Sequence, residues 1–313
     1  MKAVRAVFMG TPEFAAPTLR ALVASGIEVA GVFTQPDRPA GRGRQPLASA
    51  VKQAALELGL EVFQPLRIKQ PEAVEAVRGL GPEVIVVVGY GQIIPAAIFD
   101  FPPRGTINVH ASLLPKYRGA APIQWAIANG ETLTGVTTMR IDAGLDTGDI
   151  LLRREWPIEP EETAPQLSAR LAEAGAALAI ETLRGLEQGS ITPRKQNQEE
   201  ASYAPLLKKE DGCVDWSLPA RVLSNRVRGF VPWPGVYSYY CGRLLHLRRA
   251  REAEGGGAPG RLSVEGRRLF VGCGVARLEL LELQPEGKRR LSVEEFINGW
   301  RPTSEQILGE QNP

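Results

Sequence analysis

The sequence predicts an α/β protein in two parts: an N-terminal doubly wound, mostly parallel sheet, followed by a smaller C-terminal β-barrel. Three observations predict it. Short apolar runs alternate with helical stretches as far as residue 186, the pattern of repeated βαβ units in a Rossmann-like sheet. Val84-Ile85-Val86-Val87-Val88 is apolar throughout, as a strand covered on both faces is. After Gly235 the pattern turns to short strands punctuated by glycines, which suits a small barrel. A length of 313 residues also fits two domains at about 150 residues each.

The elements follow in order. Residues 4–9 form an apolar strand that ends at Gly10-Thr11-Pro12. Pro12 suits the first turn of a helix, which runs through Leu19, Leu22 and Val23 and stops near Gly26. Residues 29–34 return as a strand. The turn between strand and helix lacks the Gly-x-Gly-x-x-Gly spacing that lets backbone approach a pyrophosphate, which argues against a nicotinamide cofactor. Residues 35–46 form a turn-rich loop carrying Arg38, Arg42 and Arg44 among Pro and Gly. Composition leaves two readings for it: a solvated surface loop, or a phosphate-seeking one, since guanidinium pairs well with phosphate. A helix over 49–58 takes Ser49 as its N-cap. A short strand over 60–63 and a helix over 71–80 precede the strand at 84–88. That strand ends at Gly89-Tyr90-Gly91-Gln92-Ile93-Ile94, where the glycines permit either close approach by a flat ligand or a tight turn alone.

Residues 105–110 form the next strand, and its end carries Asn108 and His110. Residues two apart in a strand project to the same side. An amide donor beside an imidazole can stabilise a developing oxyanion. Asp146, on a Gly-flanked turn, can orient that imidazole. By spacing alone the same pair also reads as loop hydrogen-bonding groups. Pro122 begins a helix to Ala128, and further strands are expected over 136–141 and 150–157, then a long amphipathic helix over 163–186. Gly10, Gly89, His110 and residues 142–146 all fall at predicted carboxyl ends of strands, where open α/β sheets bind ligands.

The polar stretch 190–207 is expected to link a first domain over 1–189 to a second over 208–313. The second begins with a helix over 218–228, broken by Pro232-Trp233-Pro234-Gly235. Short strands follow over 236–240, 244–249, 260–264, 269–273 and 278–283, with a closing helix over 292–298. A five-stranded oligonucleotide-binding (OB-like) barrel is the natural candidate. Arg243, Arg248, Arg249, Arg251, Arg261, Arg267, Arg268, Lys288, Arg289 and Arg290 are interleaved with glutamates. They form either an ordinary solvated surface or a face that holds an RNA backbone.

Composition narrows the classes. A net charge of +2 does not by itself announce a nucleic-acid binder. Only His110 and His246 are present, and the three cysteines stand far apart, so no metal site is expected. The odd cysteine count, with no leader recognisable, predicts a reduced, cytoplasmic setting. No apolar run is long enough for a bilayer.

Larger motifs add a resemblance. Asn108-x-His110-x-Ser112-Leu113-Leu114-Pro115 is followed by Arg118-Gly119-Ala120-Ala121-Pro122 and by Asp142-x-Gly144-x-Asp146-Thr147-Gly148-Asp149. Phe8-Met9-Gly10-Thr11-Pro12-Glu13-Phe14, residues 33–43 and Pro232-Trp233-Pro234-Gly235 extend the match to both halves. Together these resemble the folate-dependent formyltransferase family. The resemblance implies 10-formyltetrahydrofolate as formyl donor and the methionine amine of initiator methionyl-tRNA as acceptor, on a monomer without metal. It makes Asn108, His110 and Asp146 catalytic. It assigns Gly89, Tyr90, Gly91, Ile93, Ser112, Leu113, Leu114, Pro115 and Asp142 to the folate, and Arg38, Arg42 and Arg44 to the tRNA. Rivals are a small-amine or amino-sugar acceptor, hydrolysis of the formyl folate, and an RNA-binding protein on an idle scaffold.

Overall fold

The computed structural model describes residues 4–40 and 45–309. The chain forms two compact units. The first runs to Pro122 and takes in Leu133–Pro157 and Ser168–Ala204; the second takes in Ile123–Thr132, Ile158–Leu167 and the chain from Pro205.

The first unit is built on seven strands: β1 (Arg5–Gly10), β2 (Glu28–Phe33), β5 (Val62–Phe63), β6 (Val84–Val88), β7 (Thr106–His110), β8 (Leu133–Arg140) and β9 (Ile150–Pro157). A short antiparallel pair, β3 (Arg38–Ala40) with β4 (Gln45–Leu47), stands apart from them. The order across the sheet is β5-β2-β1-β6-β7-β8-β9. β1 pairs in parallel with both β2 and β6, so the winding reverses between β1 and β6. Ligand crevices of α/β sheets open at such reversals. All five residues of β6 are at most 5% exposed, which explains the unbroken apolar run. Gly10 closes β1 where a side chain has no room: a Cβ there would lie 3.0 Å from the Val88 carbonyl oxygen.

The helices start largely where local chemistry allows. Ser49 caps α2 (Ala50–Glu57) by accepting from the Lys52 N–H at 3.0 Å. Pro71 opens α3 (Pro71–Gly79), where its missing N–H costs nothing. Pro12 instead precedes a 3-10 turn, and α1 (Ala16–Ala24) starts later, with Pro17 in its first turn. The short α4 (Ala96–Phe99) precedes β7.

One expectation is corrected. The sequence suggests that the strand ending near residue 141 shares a ligand edge with its parallel neighbours. β8 is antiparallel to β7, with Ile107 opposite Arg140 and His110 opposite Thr137. The carboxyl end of β8 therefore lies where β7 begins, and residues 142–146 reach His110 only by folding back. An apolar strand pattern carries no direction, so the sequence had no signal for this.

The long helix α6 (Ala164–Glu187) packs, from Ser168 on, against one face of the sheet. A Cβ on Gly175 would lie 3.0 Å from Val109 Cγ1, so glycine there allows close approach. Val109 faces α6, and strand alternation turns Asn108 and His110 to the opposite face. Residues 190–204 are polar yet belong to the first unit. Bridges tie Arg194 to Ile150 and Tyr203 to Arg118, and Gln196 is buried.

In the second unit, α5 (Pro122–Ala128) and α7 (Ala220–Gly229) accompany an antiparallel sheet. Its strands are β10 (Val236–Tyr240), β11 (Arg243–Ala253), β12 (Leu262–Glu265), β13 (Arg268–Gly272), β14 (Arg277–Pro285) and β15 (Leu291–Ser292). The ladder runs β10-β11-β14-β13-β12, with β15 added on β14. Among the described residues the path ends at β10 and β12. Leu245, Leu247, Leu269, Val271, Leu278, Leu280 and Leu283 form its buried face. α8 (Val293–Trp300) follows β15, held by a reciprocal capping box between Ser292 and Glu295.

Candidate active site

His110 ends β7 with its side chain only 7% exposed. Its Nε2 lies 2.9 Å from the carbonyl oxygen of Tyr117. A carbonyl can only accept, so Nε2 carries the proton and Nδ1 is the nitrogen left for chemistry. Nδ1 faces Asp146 Oδ2 at 3.7 Å. The Asn108 amide nitrogen stands 3.5 Å from Asp146 Oδ1. The Gly119 N–H donates to Asp146 Oδ2 at 2.8 Å. Three donors or potential donors thus converge on one carboxylate. The two long distances exceed a well-formed hydrogen bond of ~2.9 Å, leaving the Asn108 amide able to donate to another acceptor and His110 Nδ1 able to accept a proton and, once protonated, to donate.

Backbone strain holds this arrangement. Tyr117 (φ 59°) and Asp146 (φ 53°) both occupy the left-handed region, which non-glycine residues rarely visit outside special sites. They are the residues that supply the two groups facing the His110 ring. Gly119 has φ 119°, and a Cβ on it would lie 2.7 Å from the Ala204 carbonyl oxygen. Asp142 points to its own loop: Oδ1 accepts from the Gly144 N–H at 3.0 Å and from Thr147 Oγ1 at 2.7 Å.

The remaining residues assigned to folate by resemblance fall into two groups. Gly89 (φ 54°) and Gly91 (φ 82°) shape the turn after β6. Ile93 is 93% exposed beside them, whereas the Tyr90 ring is 2% exposed and turned into the core. Burial pushes the Tyr90 phenol up to about 12. The Tyr90 carbonyl accepts from Thr11 Oγ1 and Gln35 Nε2, tying the turns after β1, β2 and β6 together. Ser112 is buried and donates to the Lys116 carbonyl at 2.6 Å, so its hydroxyl is committed to the loop. Leu114 is buried and its N–H donates to Thr137 Oγ1. Leu113 lies against Gly135 of β8, and Pro115 closes the segment after a cis bond.

Of the arginines expected to meet tRNA, Arg38 begins β3, and Arg42 and Arg44 lie outside the described residues. Just before Arg38, Asp37 is anchored by two side chains. Hydrogen bonds from Lys52 at 2.6 Å and Gln64 at 2.8 Å hold its carboxyl below the usual carboxylate range. In the second unit Arg251 and Arg268 both pair with Glu279, Arg267 with Glu294, Arg289 with Glu295 and Arg290 with Glu282. Much of the basic cluster is therefore matched by local acid.

Arg118 has a place in a sequence motif but no role there, and the sequence does not point to Gln196. Gln196 Nε2 donates to the carbonyls of Asp146 and Gly148, both at 2.8 Å. The 1%-exposed Arg118 donates to Gln196 Oε1 through Nε and Nη2. Only the polarity of Gln196 was visible in the chain, and polarity there suggested a linker. Among the described residues no cluster of three potential metal ligands occurs, and no helix is long and apolar enough to cross a membrane.

An amide, an imidazole and a carboxylate gathered one strand from the winding reversal of an α/β sheet suit acyl transfer to an amine. A family profile described as formyl transferase matches residues 3–183, and one described as the formyl transferase C-terminal domain matches residues 206–301. The chain belongs to the formyl transferase family. It is 58% identical over 309 residues to a protein of Solibacter usitatus named methionyl-tRNA formyltransferase, covering 98% of this chain and 99% of that one. A protein of the same name from Citrifermentans bemidjiense is 50% identical over 313 residues, covering 100% of this chain and 98% of that protein. Solved structures share the fold. WlaRD, a sugar 3N-formyl transferase crystallised in the presence of dTDP and 5-N-formyl-THF, gives a TM-score of 0.67 at 17% identity over 92% of this chain and 100% of that one. HypX from Aquifex aeolicus in complex with tetrahydrofolic acid gives 0.63 at 19% identity, over 100% of this chain and 49% of that one.

Proposed function

We propose that this chain transfers the formyl group of 10-formyltetrahydrofolate to the α-amine of methionine on initiator methionyl-tRNA, acting as a cytoplasmic monomer in translation initiation. The observation that carries the reading is the meeting of Asn108 and His110 on the Asp146 carboxylate. It occurs in a chain 58% identical to a methionyl-tRNA formyltransferase along nearly its whole length.

In this reading residues 1–189 perform the chemistry, 190–207 connect, and 208–313 hold the tRNA. The neutral methionine amine attacks the formyl carbon on folate N10. The carbonyl electrons move to oxygen, forming a tetrahedral oxyanion. The Asn108 amide and a proton on His110 Nδ1 donate to that oxygen, a term often worth ~10²–10³-fold in rate per donor. Asp146 pairs with the imidazolium and takes part in removing the proton from the attacking nitrogen. The oxyanion then collapses, the C–N10 bond breaks, and the proton that Asp146 took from the amine passes to N10 as it leaves. His110 Nε2 stays on the Tyr117 carbonyl throughout and keeps the ring oriented.

Gly89, Tyr90, Gly91, Ile93, Ser112, Leu113, Leu114, Pro115 and Asp142 surround the folate in this reading. Tyr90 and Ser112 contribute backbone and loop shape, since their side chains are buried. Arg38, Arg42 and Arg44 engage the tRNA phosphates. Arg42→Ala should weaken formylation of tRNA while sparing a small-amine acceptor; equal loss with both would remove Arg42 from this role.

The test is to mix the protein with 10-formyltetrahydrofolate and methionine-charged initiator tRNA and look for N-formylmethionine after deacylation. Formylation of the initiator over the elongator tRNA carrying the same amino acid is expected. Release of formate without formylmethionine would move the acceptor to water. Neither product would remove the reading.

A further inference from the structure

We propose that Gln196 is a positioning residue for the reaction, holding the Asp146 loop against His110 from a segment well separated in the chain. The inference rests on the proposed formyl transfer and extends it to a residue that never touches substrate.

Gln196 is 8% exposed, and its amide is fully used. Nε2 donates both of its protons, one to the Asp146 carbonyl and one to the Gly148 carbonyl, each at 2.8 Å. Oε1 accepts twice from Arg118, at 3.0 Å and 2.7 Å. These carbonyls bracket a turn in which Asp146 adopts φ 53°. A left-handed aspartate persists only where its surroundings over-determine it. The Gln196 donors supply that constraint on one side, and the Gly119 N–H to Asp146 Oδ2 supplies it on the other.

The same segment secures the opposite wall. Ser202 Oγ accepts from the Tyr117 N–H at 2.9 Å, and the Ser202 carbonyl accepts from the Arg118 N–H at 2.8 Å. The Arg118 carbonyl accepts from the Ala204 N–H at 2.7 Å. Tyr117 is the residue whose carbonyl orients the His110 ring. Residues 196–204 thus grip both the loop that presents Asp146 and the loop that orients His110. Arg118 joins the two grips, since its backbone lies in one loop and its guanidinium seats Gln196. Its Nη1 donates to Gln198 Oε1 at 2.8 Å. A buried guanidinium held by neutral amides has a fixed fork geometry, so it sets where Gln196 can point its own donors.

Gln196→Glu separates the two halves of this arrangement. A carboxylate keeps both Arg118 contacts and strengthens them. It offers no proton to the Asp146 and Gly148 carbonyls and places oxygen against oxygen. A residue that matters only for burying Arg118 would tolerate the change. A residue that positions Asp146 would not. Displacement of a reacting group by about 1 Å can cost ~10²-fold.

The experiment is a double-mutant cycle on the full chain, with Gln196→Glu and Asp146→Ala alone and together, read as kcat and KM for formylation of methionyl-tRNA. Thermal unfolding is measured alongside, and rates are taken well below the lowest midpoint. Q196E is expected to lower kcat by ~10–100-fold, with KM for both substrates little changed. On the Asp146→Ala background the same change is expected to cost no more than about 3-fold, because residues acting through one another are not additive. Full multiplication of the two losses, or wild-type kcat in Q196E, would overturn the proposal. Where Q196E does not fold, Gln196→Ser, which leaves space for water at the same carbonyls, enters the cycle under the same criteria. If the unmutated chain does not formylate methionyl-tRNA at all, the functional reading fails rather than the role of Gln196.

Discussion

The Asp146 carboxylate stands 3.7 Å from His110 Nδ1, and neither partner is held by the other. His110 is fixed through Nε2 by the Tyr117 carbonyl. Asp146 is fixed through Oδ2 by the Gly119 N–H and through its own carbonyl by Gln196. The two groups are therefore pre-placed with space between them. A direct, short ion pair would satisfy both and leave less for a reacting oxygen or amine.

Asp146→Asn keeps the side-chain shape and removes the charge. Under the proposed mechanism kcat should fall by ~10²–10³-fold, while affinity for methionyl-tRNA stays within about 3-fold. Single-turnover formylation and equilibrium tRNA binding separate the two quantities. Lost binding with intact turnover of bound substrate would contradict the assignment. Asn108→Ala and His110→Ala should behave alike.

Gly119→Ala adds a methyl 2.7 Å from the Ala204 carbonyl oxygen at φ 119°. The strain should lower stability by about 1–3 kcal/mol. It should also slow turnover, because the N–H that anchors Asp146 moves with it. Urea unfolding and kcat report the two effects. Wild-type values for both would mean that the two backbones can separate without consequence.

Glu279 ties the second unit to pH. The Arg268 hydrogen bond first, with Arg251 adding to it against the cost of burial, holds its carboxyl down at about 2. A folded-state value below the unfolded one stabilises the protein at higher pH, and that contribution disappears as pH falls through the folded value. Glu279→Gln should therefore cost about 2 kcal/mol at neutral pH, a figure reduced for two half-exposed arginine partners. The gap from wild type should close between about pH 4.5 and 2. Denaturation midpoints across that window test it. A gap independent of pH would assign the loss to packing.

Ser292→Ala removes the oxygen that accepts the Glu295 N–H at 3.2 Å, and with it one half of the α8 capping box. The expected loss is about 1 kcal/mol, with formylation kinetics unchanged. Denaturant unfolding measures the first and steady-state assays the second. An unchanged midpoint would mean that packing of Phe296 and Trp300 alone sets the helix start.

Much of the architecture is written in neighbours along the chain. The apolar run of β6, the Ser49 cap, Pro71 at a helix start and the glycines flanking the C-terminal strands act over a few residues, so pattern alone places them. The alternation that puts Asn108 and His110 on one face of β7 is equally local. The residues of β7 contain no information about Tyr117, Gly119 or Asp146.

Direction and contact across distance belong to the tertiary structure. A strand's apolar pattern reads the same parallel or antiparallel, so only the assembled sheet shows β8 running against β7. The polar residues of 190–204 read as a connection, and nothing in their order shows that Gln196 receives the buried Arg118 guanidinium. Gln196 meets the Asp146 carbonyl from 50 residues away, and Arg118 meets Gln196 from 78. Bonds between segments that far apart depend on where the whole chain carries them. By itself the sequence determined the strands, the caps and the pair on β7; the tertiary structure decided that one carboxylate would gather them, because only folding brings those distant donors to it.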